Sequence, residues 1–176
     1  MTIGIGSRDR QRNGKRAWPA PRALLAVNDP TERVTLTRAL SLGGYEVMGV
    51  TDGGHALERL QRIAERRERA LDVIVADAAL PVCAGVDLLE VLRRAGWQTP
   101  VVLMVDVGFP ALQSRMKDFG AILLYKPFVL SELFASIRKA VSRRVGRDVL
   151  IADDSAYSAR DRTWRNASVW RARLPA

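Results

Sequence analysis

Asp77 is a lone carboxylate at the end of a short apolar run, Val73-Ile74-Val75-Ala76, and a loop carrying Pro81 and Gly85 follows it. Asn28-Asp29, Thr51-Asp52 and Val105-Asp106 stand after similar runs, and Lys126 closes another just before Pro127. A carboxylate in such a place can attack a phosphoryl group: a carboxylate oxygen bonds to phosphorus while the bond to the leaving group breaks, giving an aspartyl phosphate. A hard divalent cation with oxygen ligands would offset the phosphate charge, and a lysine ammonium would pair with a phosphoryl oxygen. The same residues also read as ordinary loop acids on an α/β shell, and spacing alone leaves both readings open. Other chemistries are poorly served. With Cys83 and His55 the only residues of their types, no zinc cluster can form and no Cys/His nucleophile is expected. His55 is expected to face solvent, and no glycine-rich phosphate loop follows the first strand.

The elements that would position these residues alternate. Ala23–Val27, Tyr45–Val50, Asp72–Ala76, Val101–Val105 and Ala121–Tyr125 are short apolar runs suited to buried strands. Between them lie five helical patterns. The first has Val34, Leu36, Leu40 and Leu42 as its apolar face, with Asp29 or Thr31 as cap. The second has Ala56, Leu57, Leu60, Ile63 and Ala64 on one face, and residues 65–70 could extend it. The third, Val86–Ala95, turns Leu88, Leu89 and Leu92 inward; the fourth, Phe109–Phe119, is weaker; the last, Leu130–Arg143, buries Leu133, Ile137 and Val141. Strands that are apolar throughout, each followed by a helix, predict a parallel sheet covered on both faces. All the loops that follow strands then share one edge, which collects the acids and Lys126.

Length predicts one domain plus tails, with no apolar run long enough to span a bilayer and no leader pattern in the first 16 residues. The single cysteine fits a cytoplasmic setting. Net charge is +9, yet residues 23–141 carry 14 basic and 14 acidic residues, so the whole excess lies in the two ends. Residues 1–22 are predicted to be a disordered basic tail, and residues 144–176 a basic extension. Nucleic acid could be held only through these tails, where Trp164 and Trp170 stand among arginines.

From Ala23 to Val141 the chain resembles the receiver domain of two-component response regulators. The resemblance rests on Pro30–Arg33, Gly44–Val47, Asp52-Gly53 with Ala56-Leu57, Asp72–Asp77, Leu80-Pro81, Gly85, Leu88-Leu89, Pro100–Val102, Gly120-Ala121 and Lys126–Phe128, in order over about 120 residues. It implies a flavodoxin-like (CheY-like) three-layer sandwich with strand order 2-1-3-4-5. It implies Asp77 as phosphoacceptor, Lys126 as the phosphoryl-contacting lysine, a cis Lys126–Pro127 peptide, and a weak magnesium site at Asp77, Asn28 and Asp29 with the Ala79 carbonyl.

The chain departs from that pattern at four places. The paired metal acids fall on Val27 and Asn28 without a gap, or on Asn28 and Asp29 with one, so at least one acid is lost and magnesium is weakened. Val105 lacks the hydroxyl that the family places there. Leu123 stands at the switch aromatic, and Tyr125 is no substitute. Asp106 fills a place usually given to a small residue, where it could supply an acid or repel a phosphoryl group. These losses predict a degenerate, non-enzymatic receiver that acts mainly through protein–protein interaction. A receiver still phosphorylated on Asp77 is the alternative, and nucleic-acid binding through the tails a second one. The implied partners are a histidine kinase or phosphotransfer protein, or another receiver or output domain.

After a predicted linker, Ser142–Arg147, the segment Asp148–Arg160 resembles the opening of a second receiver, with an intact Asp153-Asp154 pair. It reads as a truncated second domain, a docking strand and helix, or a chance match.

Overall fold

The structure is a computed structural model that describes residues 19–106, Met116 and residues 119–148. The elements run β1 (Arg22–Ala26), α1 (Pro30–Leu42), β2 (Glu46–Val50), α2 (Gly53–Arg66), β3 (Val73–Asp77), α3 (Gly85–Arg94), β4 (Val101–Asp106), β5 (Ile122–Lys126) and α4 (Leu130–Asp148). All four strand pairings are parallel and the order is β2-β1-β3-β4-β5, as expected. The predicted Phe109–Phe119 helix lies outside the described residues apart from Met116, which is helical and buried, and Phe119, which stands in a turn. The tail before Pro19 and the segment from Val149 onward, with its Asp153-Asp154 pair and both tail tryptophans, also lie outside them.

The period-two alternation of strand side chains splits the core into two layers. Leu24, Ala26, Ile74, Ala76, Leu103 and Val105 meet α2 and α3 on one side. Ala23, Leu25, Val27, Val73, Val75, Val102, Met104, Ile122 and Leu124 meet α1 and α4 on the other. Fully burying one such leucine or valine contributes roughly 1.5–3 kcal/mol.

Several boundaries move from their expected places. Arg22, predicted to lie in the tail, opens β1 at 7% exposure; its guanidinium is held by Glu46, Glu68 and the Arg69 carbonyl, which offsets the cost of burying the charge. On α1 only Leu36 and Leu40 are buried, while Val34 and Leu42 face outward at 67% and 82% exposure. The 34–42 apolar face is therefore narrower than its pattern suggests. Residues 67–70 do not extend α2, because Arg67 adopts a left-handed conformation (φ 52°) that caps it. The predicted linker after Val141 is instead helical to Asp148. Among the described residues no helix is long and apolar enough to cross a membrane.

Candidate functional site at the carboxyl edge of the sheet

Asp77, the last residue of β3, projects where the loops after the parallel strands gather. Its Oδ1 accepts the Ala79 amide at 3.0 Å and its Oδ2 accepts from Lys126 Nζ at 2.7 Å. Lys126 ends β5 two strands away, so the β3–β4–β5 order is what closes the gap of 49 residues. The peptide after it, Lys126–Pro127, is cis, as the resemblance implied.

The same ammonium also donates to Glu32 Oε2 at 3.0 Å. Burial alone would lower the Lys126 pKa, but its hydrogen bonds to Asp77 and Glu32, with the charges of those carboxylates, outweigh burial and raise it above the ordinary lysine value. Glu32 escaped the reading of the sequence. The available signal was the Asp-x-x-Glu spacing of Asp29 and Glu32, which marks the first turn of a helix. That turn opens on the same edge as Asp77.

The other edge acids are held in local structure. Asp29 caps α1, its Oδ1 accepting the Glu32 amide at 2.6 Å. Asp52 caps α2 through the His55 amide at 2.8 Å. That amide is the leading cause that holds the Asp52 carboxyl below the usual carboxylate value, against a smaller opposing push from burial. The His55 ring is exposed, as expected, and its Nδ1 meets Asp52 Oδ2 and Thr51 Oγ1. An acid placed just before a helix is used first by the helix's own unpaired amides. The expected single acidic cluster is thus divided among two caps and the Lys126 pair.

At the β1–α1 turn Val27 is fully buried against α1 and α4, and Asn28 is exposed. Arg33 Nη1 clamps the turn, donating to the carbonyls of Val27 (2.8 Å) and Asn28 (2.9 Å). Neither the Asn28 nor the Asp29 side chain is brought to Asp77 by a hydrogen bond. Among the described residues no group of three or more His, Cys, Asp or Glu could hold a metal ion. Val105 is buried in the α2–α3 layer, Leu123 packs against that layer half-buried, and Tyr125 is 42% exposed. Asp106 is exposed and pairs with Lys126 in the β4–β5 register.

The Asp77 loop is seated against α2. Gly53 N donates to the Pro81 carbonyl, and a Cβ on Gly53 would fall 1.9 Å from the Cys83 carbonyl oxygen. Only glycine allows that approach. Val82, at φ 68° and 77% exposed, is a β-branched residue in the left-handed region beside the candidate nucleophile. Cys83 is half-buried, and burial, then the charge of Asp87, pushes its thiol up, away from a reactive thiolate.

The family profile described as the response regulator receiver domain matches residues 23–138. The chain belongs to that family. The receiver is 41% identical over 135 residues to the transcriptional activator protein PfeR of Pseudomonas aeruginosa, covering 75% of this chain and 41% of PfeR. It is 33% identical over 130 residues to the transcriptional regulatory protein PrrA of Mycobacterium tuberculosis, covering 71% of this chain and 52% of PrrA. The chain spans about half the length of these curated relatives. Among solved structures it is similar to the receiver domain of the Francisella response regulator 1452, with TM-score 0.61 and 25% identity over 70% of this chain and 98% of that one. The signal receiver domain of a LuxO repressor protein from Vibrio parahaemolyticus shares the fold at TM-score 0.64, with 22% identity over 76% and 99% of the two chains. The protein is therefore a two-component signal-transduction receiver module of CheY-like fold.

Proposed function

We propose that this receiver is degenerate and passes its signal mainly through protein–protein contact, as a non-enzymatic cytoplasmic module. The carrying observation is the β1–α1 turn. Val27 is a buried core residue, Asn28 is uncharged, and the Asp29 carboxylate is bonded to the Glu32 amide. A hard cation is held largely by the charge of its oxygen ligands, so magnesium beside Asp77 is weakened. The buried Val105 offers no hydroxyl to a phosphoryl oxygen. A histidine kinase or phosphotransfer protein, another receiver, or an output domain is the partner class. The transcriptional roles named for PfeR and PrrA favour an output element that acts on transcription.

One observation favours a second reading, phosphorylation on Asp77: the 2.7 Å Lys126–Asp77 pair is the arrangement a phosphoacceptor needs. Amide NMR spectra of the full chain with magnesium and beryllofluoride separate the two. The degenerate reading expects the amides of Ala78, Ala79 and Val82–Ala84 to stay in place. Saturable shifts there, absent in Asp77→Asn, would establish the phosphoacceptor instead.

A further inference from the structure

Lys126 is shared. Its ammonium bonds Asp77 Oδ2 at 2.7 Å and Glu32 Oε2 at 3.0 Å, and all three side chains are largely shielded, at 20%, 17% and 29% exposure. Among the described residues, no ion pair to Asp77 or Glu32 other than these two is found. Two carboxylates therefore draw on one cation, and the second comes from a different element, the first turn of α1. That turn is not free to drift. Asp29 caps it, Pro30 starts it, and Arg33 anchors it to the carbonyls of Val27 and Asn28.

The geometry points to Glu32 as a resident anion: through Lys126 it holds the Asp77 site against an incoming phosphoryl-type anion. An added anion on Asp77 brings more negative charge to a place where the cation is already divided, and Glu32 then repels it at short range through partly shielded surroundings. A phosphoryl group would have to compete with Glu32 for the ammonium. Glu32 touches no reacting atom and acts through its hold on Lys126 and the charge it keeps beside it, so it is a positioning residue. This deepens the degenerate reading and rests on it: besides lacking metal acids, the receiver carries a carboxylate that fills the lysine.

The test titrates the full chain with beryllofluoride in magnesium buffer and follows the amides from Ala78 to Gly85. Wild type is compared with Glu32→Gln, which keeps shape and removes charge, and with Glu32→Ala as a second variant. Glu58→Gln, which removes an α2 carboxylate paired with Arg62, is the control for a merely structural loss. Thermal melting confirms that each variant is folded. Glu32→Gln or Glu32→Ala is expected to respond at a concentration at least tenfold lower than wild type, or to respond where wild type is silent. Glu58→Gln is expected to match wild type. Glu32 variants that respond no better than wild type, or not at all, overturn the proposal. A wild-type response strikes the degenerate reading alone, because the ratio between variant and wild type still decides the role of Glu32.

Discussion

Replacing Gly85 by alanine sets two effects against each other, and their sizes decide the outcome. Gly85 is the first residue of α3, where glycine costs roughly 0.5–1 kcal/mol relative to alanine in helix interiors and less at an end. Propensity alone therefore predicts a small gain. A Cβ at that position, however, falls 2.3 Å from the Asp77 carbonyl oxygen, and 3.1 Å from both the Asp77 carbonyl carbon and Leu103 Cδ2. Ordinary contact begins near 3.4 Å, so a backbone atom must retreat by about an ångström. That backbone is tied down: Ala78 N donates to the Met104 carbonyl at 2.8 Å, and Gly85 N to the Ala78 carbonyl at 3.1 Å. Overpacking of this kind costs about 1–3 kcal/mol, so the clash wins with a net loss of about 1–2 kcal/mol. In urea unfolding that is a midpoint lowered by roughly 1 M at unchanged slope. Gly49→Ala is the internal comparison. Its Cβ would meet nothing nearer than 3.8 Å, and the substitution should add about 0.4–1 kcal/mol by restricting the unfolded chain. A Gly85→Ala protein as stable as wild type would refute the close approach between α3 and the Asp77 carbonyl.

Two further outcomes follow from local structure. Asp29→Ala and Asp52→Ala should each lose about 1 kcal/mol, because each removes a carboxylate that accepts an amide of a helix's first turn. For Asp52 the folded-state pKa is depressed, so its contribution is complete above the ordinary aspartate value and disappears as pH falls through the lower folded value. Denaturation from pH 6 downward should show the gap between wild type and Asp52→Ala closing at the acid end, and a gap that widens there would contradict the assignment. Val82→Gly should stabilise the loop by about 0.5–1 kcal/mol. Relief of about 1–2 kcal/mol of left-handed strain exceeds the entropy that glycine adds to the unfolded chain, and an exposed valine gives up little burial. A lowered melting temperature would show that Val82 makes contacts worth more than its strain.

The alternation of apolar runs and helical faces carried the fold, because a strand buried on both faces has to be apolar throughout and a parallel neighbour has to be reached through a crossover. It also placed Asp77 and Lys126 on one edge, since both end strands of one parallel sheet, but their relation came from the resemblance and the 2.7 Å pairing from the structure. The departures at Val27, Asn28, Val105 and Leu123 could be named only against the receiver pattern, and the structure shows where they lie: Val27 and Val105 in the core, Leu123 half-buried and Asn28 exposed. How the remaining acids are used was not legible. Asp29 was read both as a site acid and as one of two candidate caps, and Asp52 only as an edge acid, yet helix amides claim both, because hydrogen bonding to the nearest unpaired donors is settled by backbone geometry. Val34 and Leu42 share a pattern with Leu36 and Leu40, yet only the middle pair faces the sheet. Glu32 is the clearest case. In sequence it is one surface acid 94 residues from Lys126, and only the packing of α1 beside β5's end brings its carboxylate onto the lysine that Asp77 also holds. Residue types thus determined which groups were available at the carboxyl edge. Tertiary structure decided which of them share a charge, because an ion pair depends on the last few ångströms of separation and sequence spacing does not encode them.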